Sequence, residues 1–160
     1  MKTIHILENR LFVYCQKTGE LSRVFKGKLT PYKPNNQGYI QVALSGKTLQ
    51  AAHVILAIHG VSVPKGYQVD HLDRNPLNNR LDNLAVVTQS ENNLNRGAWN
   101  APYKGVHRKG TTYHARINYQ HKHYYLGSYP TPELALQARN DFLISHNLDK
   151  KYPQQRNLIP

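Results

Sequence analysis

Residues 73–83 read DRNPLNNRLDN, and six of these eleven residues are Asn or Asp, with one Pro among them. Such side chains compete with the backbone for its own hydrogen bonds, so neither a helix nor a strand runs through this segment. It has to be a structured loop. The short run ending in Tyr67-Gln68-Val69 precedes it and Leu84-Ala85-Val86-Val87 follows it, each the length of a strand. Thr88-Gln89-Ser90-Glu91 then matches a capping box, in which Thr88 and Glu91 each satisfy a free backbone N–H, so a helix starts at 89. The local order over about 67–97 is therefore strand, loop, strand, helix.

The pattern on either side is built from equally short pieces. Residues 1–50 hold strand-length runs such as RLFVYCQ, LSRVFKG and GYIQVALSGK broken by turn signals, which predicts a small antiparallel sheet. Tyr39, Gln41 and Ala43 alternate with Ile40, Val42 and Leu44, the period of a half-buried strand. Leu49, Ala52, Ile55, Leu56 and His59 fall near helical spacing, which predicts a short helix over 49–59 with Thr48 as N-cap and Gly60 past its end. Beyond NRGAWNAP come three strand-like runs, 103–109, 112–119 and 122–129. A helix follows, with Thr131 as N-cap, Pro132 in its first position, and Leu134, Ala135, Ala138 and Phe142 on one face. The expected class is α+β, with an N-terminal domain over 1–97, a linker at 98–102, a sheet-and-helix domain over 103–147 and a polar tail over 148–160.

Twenty-one Lys and Arg against nine Asp and Glu give a formal charge of +12, which favours a polyanionic partner because each phosphate contact releases condensed counterions. Nucleic acid leads that class and an anionic membrane surface is second. The most apolar run, residues 51–63, contains two histidines and falls short of a spanning helix, and the N-terminus lacks a signal-peptide core, so a cytoplasmic protein with no membrane role is expected. Cys15 is the single cysteine, which excludes an internal disulfide, and with His121 and His123 it does not make a zinc cluster.

Asp70 and His71 stand next to each other at the end of a predicted strand, so their side chains diverge and do different work. Imidazole suits proton transfer near neutral pH, whereas a carboxylate is a hard oxygen donor suited to Mg²⁺, which takes few protein ligands and keeps waters or phosphate oxygens. Asn92, early in the helix after the capping box, would add a neutral oxygen donor. By itself an Asp-His pair is more often a turn cap beside a surface histidine.

The stretch VDHLDRNPLNNRLDNLAVVTQSENNLN resembles the metal motif of HNH (His-Asn-His) endonucleases, in the variant whose last His is Asn, on the strength of Asp70-His71, Asn78-Asn79-Arg80, Asn83-Leu84 and Asn92. It is most similar to the phage and intron homing branch, in which the preceding strand and helix are usual company. Where that branch has His-Arg this chain has His53-Val54, so His53 is expected to serve packing. The resemblance implies that His71 is the general base, that Asp70 and Asn92 bind one Mg²⁺ or Mn²⁺, and that Asn83 braces the loop and orients His71. Asp73 and Asp82 are expected to cap backbone groups, and Arg80 is a candidate phosphate contact.

Residues 103–146 resemble the plant ethylene-response-factor, or Apetala-type, DNA-binding domain, through YKGV, YHARI, YLGSY and TPELALQAR. That resemblance implies a sheet laid into the major groove, with Lys104, Arg108, Lys109, Tyr113, Arg116, Asn118 and Tyr124 as candidate contacts. Only half of the strand residues can face DNA, and Arg116 is the firmest because Ala115 and Ile117 fit the helix side. Together these features point to a metal-dependent endonuclease of homing type acting on double-stranded DNA, as a monomer or weak homodimer. The alternative is a DNA-binding regulator on the same scaffold without catalysis.

Overall fold

The computed structural model describes residues 1–96 and 103–149, and the chain divides into two compact units, Met1–Val87 and Thr88–Pro160. The linker expected at 98–102 lies outside the described residues.

The first unit opens with an antiparallel meander of β1 (Lys2–Leu7), β2 (Arg10–Cys15), β3 (Glu20–Phe25) and β4 (Lys28–Pro31), paired in that order. Glu8-Asn9 and Lys26-Gly27, the two-residue turns, have positive φ at both positions, the geometry whose twist matches the flanking strands. β5 (Gln41–Leu44) pairs with β6 (Lys47–Gln50), and Val42 and Leu44 are buried while Gln41 and Ala43 are exposed, as the alternation predicts. The helix α1 is Ala51–Ile58 and begins later than expected. Thr48 does not cap it, because Thr48 is paired with Ala43 in the hairpin, and Gln50 takes the N-cap position without a side-chain bond. Gly60 does end the helix: at φ +76 it donates to Ala57 O while Val61 donates to Leu56 O, closing the last carbonyls. α1 buries Ala51, Ala52, Val54, Ile55 and Leu56 against Phe12, Tyr14, Leu21, Val42, Leu44 and Leu84, the core of this unit. β7 (Tyr67–His71) and β8 (Leu84–Thr88) pair with each other and hold between them the Asn-rich loop, which ends in a 3-10 turn at Leu81–Asn83.

In the second unit α2 (Gln89–Asn95) starts at the capping box: Thr88 Oγ1 accepts from Glu91 N, and the Glu91 carboxylate accepts from Thr88 N at 2.8 Å. β9 (Val106–Lys109), β10 (Thr112–Tyr119) and β11 (Lys122–Tyr129) form an antiparallel sheet in the order β11-β10-β9, and α3 (Pro132–Ser145) packs on one face of it. The first of these strands is shorter than expected because Tyr103 to Val106 closes a turn, with Val106 N donating to Tyr103 O. Thr131 caps α3 and Pro132 opens it, as its sequence predicts.

Two expectations for α3 and the tail are corrected. Leu134 is 49% exposed, and Leu136, Arg139 and Leu143 join the expected Ala135 in the buried stripe. Leu148 and Asp149, the first two residues of the expected polar tail, are buried, and the rest of that tail, 150–160, lies outside the described residues. Asn147 at φ +55 turns the chain so that Asn147 N donates to Ile144 O and Leu148 N to Leu143 O, and Leu148 returns to the apolar side beside Leu143. Among the described residues, no helix is long and apolar enough to cross a membrane.

Candidate functional site

The Asn-rich loop of the first unit is held by its own side chains. Asp73 accepts from Asn75 N at 2.8 Å, Asn78 Nδ2 at 2.6 Å and Asn83 Nδ2 at 2.9 Å. Asn83 returns the contact by accepting from Asp73 N at 3.0 Å, and its Nδ2 also donates to Asn78 O at 2.7 Å. Partial burial pushes the Asp73 carboxyl up, but the three hydrogen bonds outweigh it and hold its pKa below the ordinary 3.8. Each donation leaves one fewer backbone or amide group unsatisfied in a segment that has no ladder. Asn83, only 8% exposed, thus ties Asp73 to Asn78 across the loop, and Asp73 caps backbone and amide groups. Asp82 behaves differently. It forms a two-point ion pair with Arg80, at 2.6 and 3.0 Å, on the surface, and this engages the guanidinium that was the candidate phosphate contact.

Asp70 and His71 close β7. Asp70 is 8% exposed and His71 half-buried, as expected for neighbours on opposite strand faces. One side chain at the His71 ring is one to which the sequence assigned no role: His71 Nε2 lies 3.0 Å from Asn79 Oδ1. The hydrogen bonds found for the Asn83 side chain go instead to Asp73 and Asn78, and its backbone oxygen accepts from Leu72 N. Asn79 is 2% exposed, and Tyr14 from β2 clamps its backbone: the phenol donates to Asn79 O at 3.2 Å and accepts from Leu81 N at 2.9 Å. Burial raises the Tyr14 pKa above 10 despite the opposing Leu81 N–H, so the phenol stays a donor. The doubled Asn78-Asn79 was the only trace of this arrangement in the sequence.

Asn92 lies half-buried on α2, at the end of its first turn. A carboxylate such as that of Asp70 is a hard oxygen donor, the kind a divalent cation takes. Among the described residues no group of three or more His, Cys, Asp or Glu stands together as a ready-made metal cage.

The sheet of the second unit has two distinct faces. Val106, Ala115, Ile117 and Leu126 face α3, and so do two of the expected DNA contacts: Tyr113 packs into this core, and Tyr124 lies 4.9 Å from the Phe142 ring. Those two tyrosines support the helix and are corrected as groove contacts. A register shift at Ala115/Arg116 moves the partner of Arg116 to Tyr125, which is 58% exposed. The face away from α3 therefore presents Lys109, His114, Arg116, Asn118, His123 and Tyr125. Arg116 sits over the Tyr125 ring at 5.9 Å, His114 meets the same ring at 5.5 Å, and Asn118 Oδ1 pairs with His123 Nδ1 at 2.7 Å. Arg108 is exposed but lies on the other parity, with its Nε donating to Gly110 O at 3.2 Å. Lys104 Nζ donates to the carbonyls of Asn93 and Leu94, where it caps the end of α2.

Residues 50–94 match the family model described as HNH endonuclease. Protein 3.8 of Escherichia phage T7 is 54% identical over 33 residues, which is 21% of this chain and 27% of that protein. The solved structure described as DNA binding and cleavage by the HNH homing endonuclease I-HmuI is 35% identical, over 51% of this chain and 48% of that one, with a TM-score of 0.39. The chain thus spans about a quarter and about half of the lengths of these two relatives. The family match supports a nuclease, in the segment that contains Asp70, His71, Asn83 and Asn92.

Proposed function

We propose that the chain is a metal-dependent endonuclease acting on double-stranded DNA, of homing type, with His71 as general base and Asp70 as metal ligand. One observation carries the reading: a buried carboxylate and a half-buried imidazole end β7 together, beside a loop cross-braced by Asn83, within the segment that matches the HNH family. Asn92 is the second ligand on the order of the motif along the chain. A bound Mg²⁺ or Mn²⁺ would supply positive charge at the scissile phosphate and at the leaving oxygen. The His71 imidazole takes a proton from the attacking water, and Asn83 acts by keeping the loop in one shape. The sheet face bearing Lys109, Arg116 and Tyr125 is the surface offered to DNA: cations meet phosphates, and a supported aromatic ring meets sugars or base edges.

Supercoiled plasmid incubated with the protein and Mg²⁺ tests this. Conversion to nicked or linear DNA is expected. EDTA is expected to stop it, and so is His71→Ala, which removes a base worth about 10²–10⁴-fold while leaving DNA affinity nearly intact. Failure of the wild-type protein to cut any duplex with either metal would overturn the reading in favour of a non-catalytic DNA binder.

A further inference from the structure

We propose that the outer face of the N-terminal meander docks a second copy of this chain, the two sheets packing face to face about a two-fold axis that runs close to β2. Phe12, Tyr14 and Leu21 fill the core on one side of this sheet, so by alternation the other side carries Ile4, Ile6, Leu11, Val13, Val24 and Leu29. An antiparallel sheet with one face in water ordinarily puts polar residues there. Here Ile4 is 70%, Ile6 73% and Leu29 46% exposed, with Leu11, Val13 and Val24 half-buried among them. Arg10, Arg23 and Lys28 have the core-side parity, so in a chain of formal charge +12 the middle of the outer face is aliphatic and unsuited to phosphate. Its charges, Lys2 and Glu20, stand in one row at its end.

That row makes the face complementary to itself. Lys2 pairs with Cys15 across β1 and β2, and Cys15 with Glu20 across β2 and β3, so a cation and an anion flank Cys15 at equal distance. A two-fold axis along β2 lays β1 over the partner's β3. Lys2 then meets the partner's Glu20 and Glu20 meets the partner's Lys2, as an isologous contact requires. The same rotation sets Val13 opposite the partner's Val13 and Cys15 opposite the partner's Cys15, with the two backbones about 10 Å apart. Three overlapping strands about 4.8 Å apart, each about 20 Å long, give about 300 Å² of flat face on each copy before the relief of side chains is added. An area of that size belongs to weak, reversible association, with a dissociation constant on the order of 10–100 µM. The pairing rests on the sheet alone. Only its consequence rests on the nuclease reading: two copies bring two β7 loops, one for each strand of a duplex.

Analytical ultracentrifugation of the full chain from about 5 to 500 µM reads the association. A reversible monomer–dimer equilibrium is expected, and a monomer throughout overturns the proposal, whatever else that face binds. Ile6→Lys, at an exposed position of the edge strand, is expected to weaken the dimer about 10-fold or more, and an unchanged dimer overturns the proposal. Lys2→Glu and Glu20→Lys are each expected to weaken it about 3- to 10-fold, and the double variant Lys2→Glu/Glu20→Lys to return to wild type. A double variant as weak as either single one overturns the two-fold about β2. Should Glu20→Lys fail to fold, Glu20→Gln keeps an acceptor for the Ser22 hydroxyl; a loss of about 2- to 3-fold supports the proposal and no loss overturns it. Cys15 is the single thiol of the chain, so a short bis-maleimide reports the geometry directly. Crosslinked dimer is expected in wild type and suppressed in Ile6→Lys, whereas a sedimenting dimer that Cys15 does not crosslink overturns the proposal. None of these readings needs cleavage: a dimer without activity would sink the nuclease reading alone, and a monomer that cuts DNA would sink the pairing alone.

Discussion

His53 and His71 differ in what surrounds them, and that difference makes one a liability in acid and the other a candidate base. His53 on α1 is half-buried, its Nδ1 is buried with no hydrogen-bond partner among the described residues, and burial pushes its pKa below the usual 6.5. The unfolded chain therefore binds a proton at a pH where the folded one does not, so stability rises with pH in that window. The contribution is complete above about 6.5 and is lost as the pH falls from there toward the folded value. Thermal melts at pH 7.5 and 5.5 are expected to show a lower Tm at the lower pH. His53→Leu is expected to shrink that difference; an equal difference in the variant would remove His53 as the cause.

At the scale of elements, the loop between β7 and β8 and the sheet of the second unit give the sharpest tests. Asn83→Ala removes both bonds to Asp73 and the bond to Asn78 O, in a residue 8% exposed, and is expected to cost about 2–3 kcal/mol in chemical denaturation along with cleavage. Gly19→Ala forces a Cβ onto the Asn79–Arg80 peptide from a left-handed backbone, at a cost on the order of 2 kcal/mol, and an unchanged denaturation midpoint would disprove that close approach. Tyr124 and Tyr125 are adjacent in sequence and opposite in consequence. Tyr124→Ala is expected to lower Tm through lost packing on Phe142, and Tyr125→Ala to lower DNA affinity with Tm nearly unchanged. Tyr124 was taken as a groove contact by its position in the resemblance, whereas its cross-strand partner is Ile117, which puts it on the face toward α3. Thr48 misled for a similar reason: its cap chemistry is local, whereas its place in β6 comes from a hairpin partner. The capping box at Thr88, the Thr131-Pro132 start and the Gly60 stop were legible because each is complete within one turn of chain. The Asn79 contact was not, since its buttresses Tyr14 and Gly19 lie more than fifty residues away.

For the whole molecule, the proposed nuclease reading assigns affinity to the excess of positive charge and chemistry to one short polar loop, and that division is measurable. Lys and Arg outnumber Asp and Glu by twelve, yet Asp70, His71 and Asn83 belong to the first unit and the cationic sheet face belongs to the second. Arg116 is exposed, aligned by its stack on Tyr125 and placed on the face opposite α3, so its guanidinium is presented to a partner at small further ordering cost. If it neutralises one phosphate, Arg116→Ala is expected to weaken duplex binding about 3- to 10-fold and to reduce the slope of log affinity against log salt by about one. With DNA saturating, the cleavage rate of the same variant is expected to match wild type, because no group on the β7 loop has changed. His71→Ala is expected to show the reverse: binding and salt slope retained, cleavage gone. A variant of Arg116 that binds normally, or one whose saturated rate falls as far as that of His71→Ala, would mean that affinity and chemistry are not separated in this chain.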